Sequence, residues 1–158
     1  MFKEDEIFMR EAIRQAKMAA QEDEVPVGAV VVWERKIIAR AHNQIELLKD
    51  PTAHAEMIAI TQATNFLSSK WLQQCTLYVT LEPCSMCAGA LVLARMSRVC
   101  FGTEDPKTGA CGSVINIADH ASLNHRLEVT GGVLSAECAA LISEFFQKKR
   151  KSKQVLEN

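Results

Sequence analysis

Residues 75–87, with the sequence CTLYVTLEPCSMC, predict a buried strand that runs directly into a helix. The first seven residues are rich in β-branched and aromatic side chains, and Pro83 helps to fix the turn into the helix. Cys84 and Cys87 are three positions apart, so on a helix their Cβ atoms lie on one face, about 5–6 Å from each other. The positive end of the helix favours thiolate over thiol there. We therefore expect two metal-binding thiolates at the end of this strand.

A second string, HAE at residues 54–56, follows the tripeptide DPT at residues 50–52, which is typical of a helix start. Within a helix, His54 and Glu56 would point roughly 200° away from each other, so both can border one pocket only at its beginning. The 27 residues between Glu56 and Cys84 leave room for a helix and a strand. We therefore expect two helix N-termini, at adjacent strand ends, to bring His54 to the two cysteines.

One imidazole and two thiolates, with a carboxylate beside them, form the donor set of a zinc site that keeps an open fourth position. Two thiolates neutralise Zn²⁺, so water there would be less acidic than at a three-histidine site, where its pKa falls to about 7, and an assisting base becomes useful. We therefore assign His54, Cys84 and Cys87 as ligands. Glu56 is expected to act as base and then acid in a hydrolytic attack on an amidine-like carbon, with loss of ammonia.

Two other interpretations fit part of this pattern. A strand followed by C-x-x-C and a helix also occurs at thioredoxin-like redox sites, but that reading leaves His54 and Glu56 without a role. A closed structural zinc site would need a fourth protein ligand, which His42, His120 or His125 could supply, although none of them has tight motif spacing.

The rest of the chain predicts an α/β fold. A hairpin followed by alternating helices and strands implies a mixed sheet of about five strands, covered by helices on both faces in three α/β/α layers. Hydrophobic periodicity predicts helices over 5–21, 53–65, 84–96 and 135–150 and strands over 29–33, 37–40, 75–81 and 99–102. Residues 43–52 are expected to be a polar loop, 103–125 an irregular stretch, and 126–130 an edge strand or the approach to the last helix.

Composition indicates one globular domain over residues 1–158, since 48% of the residues are apolar and 23% are charged. No signal-peptide pattern and no apolar run long enough for a membrane span is found, so we expect a cytoplasmic protein. Six cysteines in such a chain do not indicate a disulfide framework. Residues 148–158 carry five of the 18 basic residues, which indicates either a polyanionic partner or lysines that complement a helix C-terminus.

The two strings together resemble the signature H-x-E…P-C-x-x-C of the cytidine/deoxycytidylate deaminase superfamily. Further segments are similar, within that superfamily, to the bacterial tRNA-specific adenosine deaminases, over about residues 6–150. These segments are EVPVGAV (24–30), DPTAHAE (50–56), TLYVTLEPC (76–84), MCAGA (86–90), KTG (107–109), GS (112–113), NHR (124–126) and ECAAL (137–141).

The resemblance implies a cytidine-deaminase-like fold and a homodimer with one Zn²⁺ per subunit. It also implies conversion of the wobble adenosine to inosine in the anticodon loop of a tRNA, usually an arginine tRNA with an ACG anticodon. By position, it makes His54, Cys84 and Cys87 the zinc ligands and Glu56 the proton shuttle. The residues expected to bind the substrate are Val27, Asn43, Ala55, Asp105, Lys107, Asn124, His125, Phe145, Phe146 and Arg150. Pro106 and Cys111 depart from the family pattern and could alter the stiffness of their loop.

Two alternatives stay open at this point. A free guanine or cytosine deaminase, or a nucleoside deaminase, of the same superfamily would share the zinc site, but it would need a C-terminal lid instead of a basic tail. A non-enzymatic, zinc-stabilised RNA-binding protein would hold the metal and release no inosine.

Overall fold

A computed structural model describes residues 2–157, and its centre is one five-stranded mixed sheet. The strands are β1 (Gly28–Trp33), β2 (Lys36–His42), β3 (Cys75–Leu81), β4 (Arg98–Thr103) and β5 (Glu128–Thr130), in the spatial order β2-β1-β3-β4-β5. β1 is antiparallel to both β2 and β3, whereas β3, β4 and β5 are parallel to one another. Along the strand direction, the C-terminal ends of β2 and β3 therefore lie at the same end of the sheet, on either side of the start of β1.

Five helices complete residues 2–157. They are α1 (Phe2–Gln21), α2 (Ile45–Leu48), α3 (Ala55–Leu67), α4 (Ser85–Leu93) and α5 (Ser135–Glu157). Successive residues of β1 point to opposite faces, so Ala29 and Val31 join the core with α3 and α4, while Val30 and Val32 join the core with α1. The predicted three-layer α/β/α fold with a mixed sheet is therefore confirmed. Among the described residues, no helix is both long and apolar enough to cross a bilayer.

The hairpin between β1 and β2 turns on two residues without glycine or asparagine. Glu34 and Arg35 have φ angles of 49° and 63°, the left-handed conformation that a tight two-residue turn requires. Gly28, at the other end of β1, lies against the backbone of α1, where a Cβ atom would overlap the Ala12 carbonyl oxygen. The turn fixes the register of β1 and β2, and the glycine lets α1 lie close to the sheet.

Three sequence predictions need correction. The polar loop 43–52 contains α2, whose Glu46 and Leu47 N–H groups donate to the buried Glu24 carboxylate at 2.9 Å each. Because this acceptor lies about twenty residues earlier in the chain, the local sequence carries no sign of it. The last helix runs to Glu157 instead of ending at 150, so the basic residues after 147 lie on a helix and not on an open tail. That stretch has no glycine or proline to stop a helix.

The third correction concerns α4, which ends at Leu93 where the sequence predicted 96. Arg95 has a φ angle of 59°, and this left-handed residue ends the helical run. Residues 128–130 form an edge strand, one of the two outcomes expected for that segment.

A buried ion pair joins α1 to β3, β4 and β5, on the face of the sheet that α1 covers. Both Arg98 guanidinium Nη atoms donate to the Asp5 carboxylate at 2.8 Å, and the Tyr78 hydroxyl donates to it at 2.8 Å. Arg98 also donates to the Thr130 hydroxyl at 2.9 Å, so one cluster ties α1, β3, β4 and β5. The hydrogen bond from Arg98 lowers the pKa of Asp5 below its ordinary value of 3.8.

We predict that Asp5→Asn lowers the free energy of unfolding by about 3 kcal/mol, because a largely buried arginine then keeps only the exposed Glu128 carboxylate, 3.9 Å away, as a counter-charge. Urea denaturation at neutral pH measures this change. Asp5 stabilises the protein only while it is ionised. The difference in free energy of unfolding between the two proteins should therefore shrink as the pH falls from 3.8 through the lowered pKa of Asp5 and the carboxylate takes up a proton. Glu6→Gln, on the exposed side of the same helix, is the matched control and should stay within about 0.5 kcal/mol. Equal stabilities for Asp5→Asn and wild type at neutral pH would contradict the prediction.

Candidate active site

Three potential metal ligands meet at the starts of α3 and α4. His54 has an extended backbone (φ −72°, ψ 149°) and is the residue before α3, and Cys84 holds the same place before α4. Cys87 lies in the first turn of α4. The His54 Nδ1 atom is 3.6 Å from the Cys84 Sγ atom and 3.5 Å from the Cys87 Sγ atom. In the chain, α3 comes after β2 and α4 comes directly after β3. The start of β1 lies between the ends of these two strands, so the expectation of adjacent strand ends is wrong. Both strands nevertheless end on the same side of the sheet, along the strand direction.

The spacing of these donors fits zinc. With Zn–S at 2.3 Å and Zn–N at about 2.05 Å, a tetrahedral angle places nitrogen and sulfur about 3.6 Å apart. All three donor atoms lie within 4.8 Å of one another, and among the described residues no other group of three or more such side chains lies together. His42 instead contacts Gln15 and Glu22, and His125 contacts the Met96 carbonyl oxygen. The residues present could therefore hold a zinc ion through three ligands.

The electrostatics of this group also suit a cation. The hydrogen bond from the Cys87 thiol lowers the pKa of Cys84 to about 4, with a further contribution from His54. The pKa of Cys87 is raised, because it donates that hydrogen bond and is buried. The hydrogen bond with Cys84 also raises the pKa of His54. A metal ion that binds these sulfurs would displace any proton that they hold.

Glu56 is the second residue of α3 and one of the few carboxylates buried in the molecule, with 4% of its surface exposed. Burial raises its pKa. It lines the same cavity as His54 and Cys84. His54 and Glu56 point in different directions, and both border one cavity because they lie at the start of α3.

The cavity has a volume of about 190 Å³ and contains several of the residues predicted from the sequence. Its lining residues are Val25, Val27, Asn43, Ile45, His54, Glu56, Leu81, Glu82, Cys84, Asp105 and Thr108. The Asn43 Oδ1 atom accepts the Ala55 N–H at 2.8 Å, and its Nδ2 donates to the Val25 carbonyl at 3.1 Å. The expected purine contacts of Asn43 and Ala55 therefore stay predictions, because these groups are already paired with each other here.

The other predicted contact residues lie around this cavity at different distances. Lys107 and Asn124 are exposed and His125 is half-buried, and none of the three is among the lining residues. Phe145 and Phe146 form a T-shaped pair with ring centres 5.4 Å apart. They line a second, larger groove of about 940 Å³, which shares Val25 and Ile45 with the first cavity. Arg150 is exposed one turn further along α5.

Five lining residues carry no role in the sequence analysis, namely Val25, Ile45, Leu81, Glu82 and Thr108. Glu82 offered the clearest signal, since an acidic residue between a buried strand and a metal-binding motif needs hydrogen-bond partners if the turn is buried. Ile45 offered none, because its position depends on the short helix that Glu24 caps.

Comparisons with known proteins agree with this geometry. Residues 3–150 match a family model described as MafB19-like deaminase. A tRNA-specific adenosine deaminase of Aquifex aeolicus is 52% identical over 92% of this chain and 95% of its own. One of Bacillus subtilis is 49% identical over 96% of this chain and 94% of its own. A structure from work on A-to-I editing by tRNA:A34 deaminases at the wobble position of transfer RNA has a TM-score of 0.82 and 41% identity, over 85% of this chain and 97% of its own.

We predict that Cys84→Ala and His54→Ala each reduce the bound zinc from roughly one ion per chain to a small fraction of that, because two remaining donors hold the ion poorly. Metal analysis of the purified proteins measures the zinc content. Cys111→Ala is the matched control: it also removes one buried thiol, but this thiol is not one of the three donors. Full zinc content in Cys84→Ala would show that the ion is held elsewhere.

Proposed function

The chain belongs to the MafB19-like deaminase family, and we propose that it is a zinc-dependent hydrolase that converts adenosine to inosine at the wobble position of a tRNA anticodon. The observation that carries this proposal is the buried carboxylate of Glu56, which lines one cavity with a His-Cys-Cys donor group of zinc spacing. The relatives described above, which cover nearly the whole chain, support tRNA as the substrate.

The reaction replaces the exocyclic amine of adenine by oxygen. A water molecule adds to C6, the C–N bond to the amine breaks, and ammonia leaves. Glu56 takes a proton from the water and passes it to N1; it then takes the proton of the new hydroxyl group at C6 and gives it to the departing amine. Burial raises the pKa of this carboxyl group, which helps it to hold a proton between the two transfers. Zinc held by His54, Cys84 and Cys87 would act as a Lewis acid that makes the water proton easier to remove.

The size of the cavity favours a single base. At about 190 Å³ it is smaller than the roughly 300–1,000 Å³ of typical small-molecule sites. An anticodon loop is single-stranded, so turning its adenosine out into such a pocket costs less than opening a duplex. Val27 would contact one side of the purine, and Asn43 and the Ala55 N–H would exchange their mutual hydrogen bond for bonds to it.

The nucleotides on either side of the target would lie on the surface around the cavity. Asp105, Lys107, Asn124 and His125 are proposed to contact them. Phe145 and Phe146 would stack on unpaired bases in the larger groove, and Arg150 with its basic neighbours would contact phosphates.

A second copy of the chain is the proposed protein partner. Several large apolar side chains on and next to the layer of α3 and α4 are exposed, including Phe66 (62%), Trp71 (43%) and Leu93 (81%). A homodimer would remove this surface from water. We place the protein in the cytoplasm, with its tRNA substrate.

We predict that Glu56→Gln lowers kcat by about 10²–10⁴-fold, because the isosteric amide cannot take a proton. The assay measures inosine released by nuclease digestion of an ACG-anticodon tRNA, and metal analysis checks that zinc is retained. Glu6→Gln, at an exposed acid of α1 that lines neither cavity, is the matched control. Activity of Glu56→Gln within tenfold of wild type, with zinc present, would contradict the assigned role.

The same assay separates the alternatives when free guanine and free cytosine are tested in parallel. Inosine from tRNA alone supports the proposal, while xanthine or uracil from the free bases would show a free-base deaminase. Zinc without any product would show a non-enzymatic RNA-binding protein.

We predict that replacing Lys148, Arg150 and Lys151 by glutamine raises the Kd for tRNA and reduces its salt dependence. Each lost phosphate contact should reduce the slope of log K against log salt by about 0.7–0.9. The test measures the Kd for tRNA at about three salt concentrations between 50 and 200 mM. The control replaces Arg35, Lys36 and Lys70, which are exposed at the opposite end of the sheet. An equal slope in both triple variants would exclude α5 as a phosphate-binding element.

A further inference from the structure

We propose that Glu82 is a positioning residue, which holds the loop of residues 105–113 as a wall of the base-binding cavity and so determines how tightly the target base is bound. This inference rests on the proposed function, because it concerns the same cavity. Glu82 follows β3 directly and lies two residues before Cys84. It is 2% exposed, yet it lines the cavity together with Glu56.

Among the described residues, the donors to the Glu82 carboxylate all belong to this loop. Its Oε1 atom accepts the Asp105 N–H at 3.1 Å and a short hydrogen bond from the Ser113 hydroxyl. Its Oε2 atom accepts the Cys111 N–H at 3.0 Å and the Ser113 N–H at 3.1 Å. One side chain therefore receives four donors from both ends of the loop. Hydrogen bonds to a charged acceptor are the stronger kind, and three of these four come from the backbone.

The loop is also packed closely onto the carboxylate. Gly109 lies where a Cβ atom would overlap the Glu82 carboxyl group. Next to it, the Ala110 N–H donates to the Pro83 carbonyl oxygen at 2.8 Å. The contact therefore extends from the turn that carries Cys84 to the middle of the loop.

A second set of hydrogen bonds, to the Asp105 side chain, connects the residues that Glu82 holds with the cavity wall. The Asp105 side chain accepts the Lys107 N–H at 3.0 Å, the Thr108 N–H at 3.2 Å and the Thr108 hydroxyl at 2.7 Å. Asp105 and Thr108 both line the cavity. Because Glu82 holds the backbone of Asp105, it orients two side chains that line the cavity, and Glu82 does not itself touch the reacting atoms.

The negative charge of Glu82 is satisfied by neutral donors. Among the ion pairs of residues 3–157, none involves Glu82. A glutamine here could keep the bonds at one oxygen, but its NH₂ group would face the Asp105 N–H. Since two donors cannot pair, the change should release the Asp105 end of the loop and leave the zinc ligands in place.

The expected effect is on binding. If the loop of free Glu82→Gln occupies its base-binding position about a tenth of the time, KM rises about tenfold. The value of kcat is unchanged, because the loop is in place once the base is bound. A merely structural loss of folded protein would instead lower the apparent kcat and leave KM alone.

The experiment measures kcat, KM and zinc content for Glu82→Gln on an anticodon stem-loop with a wobble adenosine. We expect about tenfold higher KM, kcat within about threefold and full zinc content. Glu104→Gln removes a neighbouring exposed acid and is the matched control, with unchanged KM. Hydrogen exchange should be faster in residues 105–113 of Glu82→Gln and unchanged at the start of α4.

An unchanged KM, a lower kcat at constant KM, or loss of zinc in Glu82→Gln would each overturn the inference. Should that variant fail to fold, Ser113→Ala, which removes one of the four donors, decides the question with an expected threefold rise in KM, and no rise would overturn it. An inactive wild-type protein would instead refute the proposed function, so the two failures are distinguishable.

Discussion

The start of α3 is held by the buried amide of Asn43, which accepts the Ala55 N–H and donates to the Val25 carbonyl oxygen. Asn43 follows β2 and Val25 precedes β1, so one side chain ties the helix to the edge of the sheet. His54 and Glu56 flank Ala55, so in the free protein this hydrogen bond helps to hold the segment that carries both of them. A first-turn N–H has no partner within its own helix, and Asn43 supplies one where water is scarce.

Three buried carboxylates surround the cavity and serve different purposes. Glu24 caps α2 and so places Ile45 on one side of the pocket, while Glu82 holds the loop that places Asp105 on another. Both are satisfied by several hydrogen-bond donors. Glu56, the third, hydrogen-bonds to Cys87 and to the backbone of its own helix start, and burial raises its pKa. The carboxylates that hold structure are thus satisfied by hydrogen bonds, while Glu56 is the one that we propose to move a proton.

Some parts of the fold could be predicted from local patterns and others could not. The β3–α4 unit agrees with its sequence because strand propensity, Pro83 and the cysteine spacing all act within thirteen residues. The helix α2 was missed because its cap comes from Glu24, far away in sequence. The Glu34–Arg35 turn adopts left-handed angles without the usual glycine, because the pairing of its two strands imposes them.

The sequence by itself determined the donor types, their spacing and the helix starts that carry them, because ligand chemistry and the 3.6-residue period are local properties. It also determined the layered α/β class through the alternation of strand and helix patterns. Only the tertiary structure decided that β1 lies between the two strands whose ends carry the site, and that Glu82 closes the loop over the cavity. Both depend on contacts between residues distant in the chain, and burial gives such contacts their energy only after the sheet has formed.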